Sequence, residues 1–212
     1  MNRLSSTAWI GLAILLIGSG CGIGVNRSFN LDDGETRSGG LMTVNGSLTI
    51  GADCRIGGDC RTVNGRIVVG DGSTVKGLQT VNGRVEIGEN VTVDGDVATV
   101  NGRVELRSGA RVEGDLATVN GDVDLIGSTV RGTVSLANGD VLLDRGARVE
   151  RDVEIRGGDT SRVEIVLRGG SVIAGDVRVS GPADRVVVYF ENGTVEGRVR
   201  GASVVEGAPP RS

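Results

Sequence analysis

Between Thr80 and Ala98, apolar side chains fall at Val81, Val85, Ile87, Val91, Val93 and Val97, separated by Asn82-Gly83-Arg84, Gly88-Glu89-Asn90 and Asp94-Gly95-Asp96. Each side reads in-out-in, an alternation that predicts a very short, half-buried strand. Gly, Asn and Asp between the sides tolerate the left-handed backbone that tight corners need. Three sides and three corners close a triangular coil. The next coil repeats the design at Val100, Val104, Leu106, Ala110, Val112 and Leu116. Because the apolar set returns in the same order and register, stacked coils are expected rather than a flat meander.

A signature marks the repeat. Thr-Val-Asn-Gly occurs five times and Leu-Ala-Asn-Gly once, placing Asn45, Asn64, Asn82, Asn101, Asn120 and Asn138 at spacings of 19, 18, 19, 19 and 18. Such a period belongs to solenoids, whose repeats bury their apolar faces on one another. The predicted fold is all-β: a single-stranded parallel β-helix of triangular section, with about eight coils of 18–19 residues over 41–205. The 18-residue spacings place losses at the Gly77-Leu78 corner and near Gly127. An enlarged coil follows over 155–178, and a last one over 179–200. The nineteenth residue of most coils and the swollen coil favour a right-handed helix. Stacked Asn amides would form a structural column at one corner. Thr43, Thr62, Thr80, Thr99 and Thr118 are expected to face outward, one step before a buried Val. Tyr189 and Phe190, two of very few aromatics, are expected to cap the open end or to form a docking patch.

The N-terminal segment changes the compartment. A basic start at Arg3, an apolar run from Ala8 to Ile17 and the ending Gly18-Ser19-Gly20-Cys21 predict an export signal over 1–20. The ending resembles a bacterial lipobox. That resemblance implies that Cys21 is lipidated and becomes the first mature residue, anchoring the protein to a membrane. Gly22 in place of Asp favours the outer membrane or a periplasm-facing position where the cell has two membranes. Residues 21–40 read as a flexible tether, and 206–212, with Pro209-Pro210, as a disordered tail.

Composition narrows the chemistry. The chain has 212 residues, with 37 Gly and 3 Pro but no three-residue Gly period, which sets collagen and disorder aside. Net charge is −4 with both signs interspersed, so nucleic acid is not an expected partner. There is no His, which removes Ser-His and Cys-His nucleophiles. The hexads Val81–Glu86, Ile87–Thr92 and Val93–Ala98 resemble those of hexapeptide-repeat acyltransferases, which rely on a His base. Carboxylate pairs at Asp94 and Asp96 or Asp122 and Asp124 leave a glycan-active enzyme as a remote reading. Cys54 and Cys60 align with inward positions, as core thiols or a disulfide. No catalytic residue, cofactor or metal site is expected.

Segments such as Val104–Leu116, with Gly109-Ala110-Arg111-Val112-Glu113-Gly114-Asp115, and Val141–Val153 are similar to the coils of bactofilins, bacterial polymer-forming cytoskeletal proteins. The resemblance covers about 41–205 and implies a triangular right-handed β-helix that polymerises through its terminal coils, without nucleotide or catalytic residues. Bactofilins work in the cytoplasm, whereas this chain opens on an export signal. The expected function is therefore a non-catalytic scaffold lipoprotein of the cell envelope that self-associates end to end. An adhesin-like module for cell-wall glycan or an envelope protein is the alternative.

Overall fold

In a computed structural model, residues 22–157, 162–180 and 185–209 are described. Their short strands form three parallel sheets of ten, ten and nine strands. Within each sheet a strand pairs with the one three further along the chain, so the chain visits the first, second and third face in turn and then stacks on itself. The result is a triangular β-solenoid of about nine turns, with no α-helix among the described residues.

The ninth turn is a correction to the expected tether. Gly22–Gly24, Phe29–Leu31 and Thr36–Arg37 pair with Leu41–Asn45, Leu48–Ile50 and Arg55–Ile56. Gly22 and Gly24 stand in register with Leu41 and Thr43 and Arg37 with Ile56, so only Phe29 and Leu31, on the second face, carry the apolar pattern in this coil and a periodicity has little to detect. Backbone pairing needs no apolar side chain. At the other end Ser203–Glu206 is the last strand of the second face.

Register follows the spacing. Leu78 pairs with Cys60, 18 residues back, and Thr129 with Arg111, again 18 back, so the losses fall in corners and leave the sides intact. Val141 pairs with Ile165, 24 residues on. The extra residues lie between Val153–Ile155 and Val163–Arg168, at the corner from first to second face. The next coil is lengthened at that same corner, between Val177–Val179 and Val186–Glu191.

The core is a continuous aliphatic column. Val85, Ile87, Val91, Val93 and Val97 are buried, as are their counterparts in the coils above and below. Cys54 and Cys60 lie in that column and are not joined in a disulfide; the Cys54 thiol donates to the Asp32 carbonyl at 3.1 Å.

The signature is oriented opposite to expectation. Thr43, Thr62, Thr80, Thr99 and Thr118 are 0–4% exposed, whereas Val44, Val63, Val81, Val100 and Val119 are half-exposed on the outer surface. The first-face strands have five residues, and alternation starting from buried Val97 puts Thr99 inside and Val100 outside. Burying Val100 would require a bulge in every coil. Hydrophobicity favours Val inside, but strand period decides.

The buried hydroxyl has a task. Four of the five Thr Oγ1 groups donate to a corner carbonyl of the preceding coil: Thr43 to Arg27 at 2.7 Å, Thr62 to Gly46 at 2.9 Å, Thr80 to Gly65 at 3.1 Å and Thr99 to Gly83 at 3.4 Å. The bond lengthens coil by coil until Thr118 Oγ1 is buried without a partner. Leu136 takes the position in the next coil.

The glycine of the signature is required by the stacking distance. A Cβ on Gly65, Gly83, Gly102 or Gly121 would overlap the carbonyl oxygen of the signature glycine one coil back. Gly102→Ala is therefore expected to destabilise the fold by roughly 2–3 kcal/mol, read from urea unfolding. Thr62→Val strips a partner from the Gly46 carbonyl and should cost about 1 kcal/mol. Thr118→Val removes an unpaired buried hydroxyl and should stabilise by about 0.5–1 kcal/mol. Equal effects of the two Thr substitutions would refute the graded hydrogen bond.

Candidate functional site

Three features outside the core were open to a functional reading: the Asn column, the rows of corner carboxylates and the two ends. Asn is suited to a corner column because its amide both donates and accepts. The Nδ2 groups of Asn45, Asn64, Asn82, Asn101, Asn120 and Asn138 each donate to the Oδ1 of the Asn one coil back, at 2.7–2.9 Å. The first acceptor is Asn26, a seventh member lying 19 residues before Asn45. That spacing was legible, but neither Gly nor Thr flanks Asn26, so the signature did not reveal it. The column stops at Asn138, whose Oδ1 is buried without a partner. The following coil has its added residues at this corner instead of an Asn.

The corner carboxylates are likewise engaged between coils. Asp33, Asp71, Asp96, Asp115, Asp122, Asp140, Asp152 and Asp176 each accept a backbone N–H from the next coil at 2.7–3.1 Å. A carboxylate placed there satisfies a corner amide that no strand ladder reaches. Asp96 and Asp122, each half of a pair considered for glycan chemistry, therefore have structural partners. Among the described residues no group of three or more His, Cys, Asp or Glu side chains is placed to hold a metal ion.

Asp122 and Asp124 sit in contrasting fields. Arg103 reaches Asp122 at 2.7 Å and Asp124 at 3.5 Å. Burial pushes the Asp122 carboxyl up, but the hydrogen bonds from Arg103 and the Asp140 amide outweigh it and hold the group below the usual range. Burial raises Asp124; Asp122 and Glu105 add to the rise, and Arg103 and Arg84 only partly offset it. The like charges follow from register, since Asp124 stacks on Glu105 and Glu105 on Glu86.

Tyr189 and Phe190 lie on Val186–Glu191 of the second face, and the last strand pairs beyond them, setting Val205 on Tyr189 and Glu206 on Phe190. They are not the terminal cap. Tyr189 is 3% exposed, and its hydroxyl accepts a hydrogen bond from Arg162 at 2.7 Å, whereas Phe190 packs half-buried against the core. An end closure that the sequence reading missed is at the opposite end. There Phe29 fills the space above Gly24, where a Cβ would press on its ring, and the Arg27 guanidinium lies 5.7 Å from the ring centroid. Glu35 and Arg37 form an ion pair at 3.0 Å beside it. Aromatic and charged residues beside core-position glycines were the available signal. Cys21 lies outside the described residues. Among the described residues no helix is long and apolar enough to cross a membrane.

Opposite pKa directions give opposite effects. Asp122, with its folded pKa lowered, contributes stability above its unfolded pKa that is lost as pH falls through the folded one. Asp124, with its folded pKa raised, costs stability when ionised, and that cost disappears as pH falls below its unfolded pKa. At neutral pH, Asp122→Asn should lower the melting temperature and Asp124→Asn should raise it. Below both carboxyl pKa values these charge contributions should vanish. Shifts of the same sign at pH 7 would contradict the assignment.

Comparison with protein-family models, with curated proteins and with solved structures finds no match to this chain.

Proposed function

We propose that this chain is a non-catalytic structural protein of the bacterial cell envelope, lipid-anchored through Cys21, whose β-solenoid is a rigid stalk that associates with other copies through its ends. The observation that carries this reading is how the surface is used. The Asn amides and corner carboxylates are committed to coil-to-coil bonds. Among the described residues the exposed large hydrophobics, Ile23, Val25, Val204 and Val205, lie on the first and last coils. About nine coils at about 4.8 Å each give a rod of roughly 40 Å, long enough to hold a binding or assembly surface away from a membrane. The similarity of the coils to bactofilins and the lipobox-like Cys21 point the same way.

A second reading rests on the outward Val row. Val44, Val63, Val81, Val100 and Val119, with Ala98 and Ala117 alongside, make a narrow apolar strip on the first face, interrupted in the neighbouring column by Arg61 and Gln79. That strip suits a partner protein better than a glycan. The Thr row expected to face outward is buried.

Anchoring and association are tested separately. Palmitate labelling in cells should mark the wild-type chain and be abolished by Cys21→Ser; retained label would end the lipoprotein reading. The purified chain should show a self-associated species by sedimentation, and a strictly monomeric protein at high concentration would remove the scaffold role.

A further inference from the structure

The two ends of the solenoid are chemically different. In the first coil the places that hold core aliphatics elsewhere carry Gly22, in register with Leu41, and Arg37, in register with Ile56. Glu35, whose carbonyl accepts the Arg55 amide, completes the ion pair with Arg37. Phe29 spans the space above Gly24, and Leu31 is only 6% exposed although no strand of the second face pairs above it among the described residues. The cross-section at this end is closed by an aromatic ring and a charged pair, as expected of a capping repeat, while the exposed Ile23 lies on the side of the coil in register with outward Met42.

At the other end each side of the triangle finishes on a valine. Val195 stacks on Ile173, Val199 on Val177 and Val204 on Val188. Val195 and Val199 are half-buried, Val204 is 51% exposed, and Val205 beside it is exposed as well. Among the described residues, these three valines, with Glu206 in register with Phe190 and the free edges of the three terminal strands, form an uncovered cross-section of the core. A surface that continues it must offer a triangle of aliphatic side chains and strand edges at the same spacing. The first coil of another copy offers Gly22 on one side and the ion pair of Glu35 and Arg37 on another, and on the third a Leu31 already buried and a Phe29 packed over Gly24. The last coil of another copy offers the matching triangle.

We infer that the chain pairs with a second copy of itself through its last coil alone, giving a two-fold dimer of stalks rather than an open-ended filament. The inference rests on the scaffold reading and fixes its stoichiometry. A contact in which the same surface meets itself closes on two copies and leaves nothing to propagate. Across such an axis Ser203–Glu206 meets its own copy antiparallel, so the exposed edge is consumed.

Analytical ultracentrifugation of the full-length chain in mild detergent tests this. The wild type should sediment as a dimer, and Val204→Asp should give monomer with an unchanged circular-dichroism melt. If the aspartate unfolds the chain, Val204→Thr provides the reading: replacing a methyl by a hydroxyl at two symmetry-related sites should weaken dimerisation by roughly tenfold. Glu35→Val combined with Arg37→Val should turn the dimer into longer species by opening the capped end. A wild-type monomer would overturn both this inference and the scaffold reading. A wild-type series of ever-larger species, or a folded Val204 variant that stays dimeric with wild-type affinity, would overturn the inference and leave the scaffold reading standing.

Discussion

Stacking of one corner on the next at strand spacing is the constraint from which the rest follows. Parallel strands about 4.8 Å apart are undemanding along the sides, where hydrogen bonds run evenly between flat ribbons. Corners are harder, because the chain turns there and only some of its amides and carbonyls still bond backbone to backbone between coils. In the four coils that carry Thr43, Thr62, Thr80 and Thr99 the corner from first to second face meets this demand with adjacent residues. Asn bonds its counterpart through the side chain, Gly leaves room for the carbonyl stacked against it, and Thr two positions before the Asn supplies a donor from inside. The aspartates do similar work for corner amides elsewhere. Four-residue signatures recur because one geometric problem recurs.

This accounts for what could be read from the chain and what could not. Period, triangular section, corner losses and the Asn column all arise from translation symmetry, which a repeated word displays directly. The orientation of Thr99 and Val100 was misread because it depends on counting from Val97 through a five-residue strand, while the hydropathy of the two residues argues the other way. A buried hydroxyl is acceptable only because a carbonyl stands within reach, and nothing in a linear sequence shows that carbonyl. The first coil escaped notice for a related reason. Outside Phe29 and Leu31 its core places are glycine and charged residues, so it contributes backbone edges and a closure in place of full aliphatic periodicity.

Electrostatics follow the same symmetry with less comfort. In-register stacking multiplies any charge chosen for an outward position, so Glu86, Glu105 and Asp124 form a row that no single coil requires. Arg84, Arg103 and Arg107 at neighbouring positions neutralise it in part. The remaining burden shows in the raised Asp124 carboxyl. Leu142 ends the row one coil later.

Length changes are not spread evenly around the triangle. Single-residue losses fall at the two other corners, at Lys76-Gly77, at Gly127 and between Phe190 and Thr194. The corner that carries the Asn column keeps its length as far as Asn138, and the two lengthened coils expand at that corner immediately afterwards. A side-chain column running through successive turns behaves like a pin through a stack of washers: while it is in place, none can be made larger at the pinned edge. The unpaired Asn138 oxygen marks where the pin ends, and from there the same edge becomes the place where this architecture can accept new sequence.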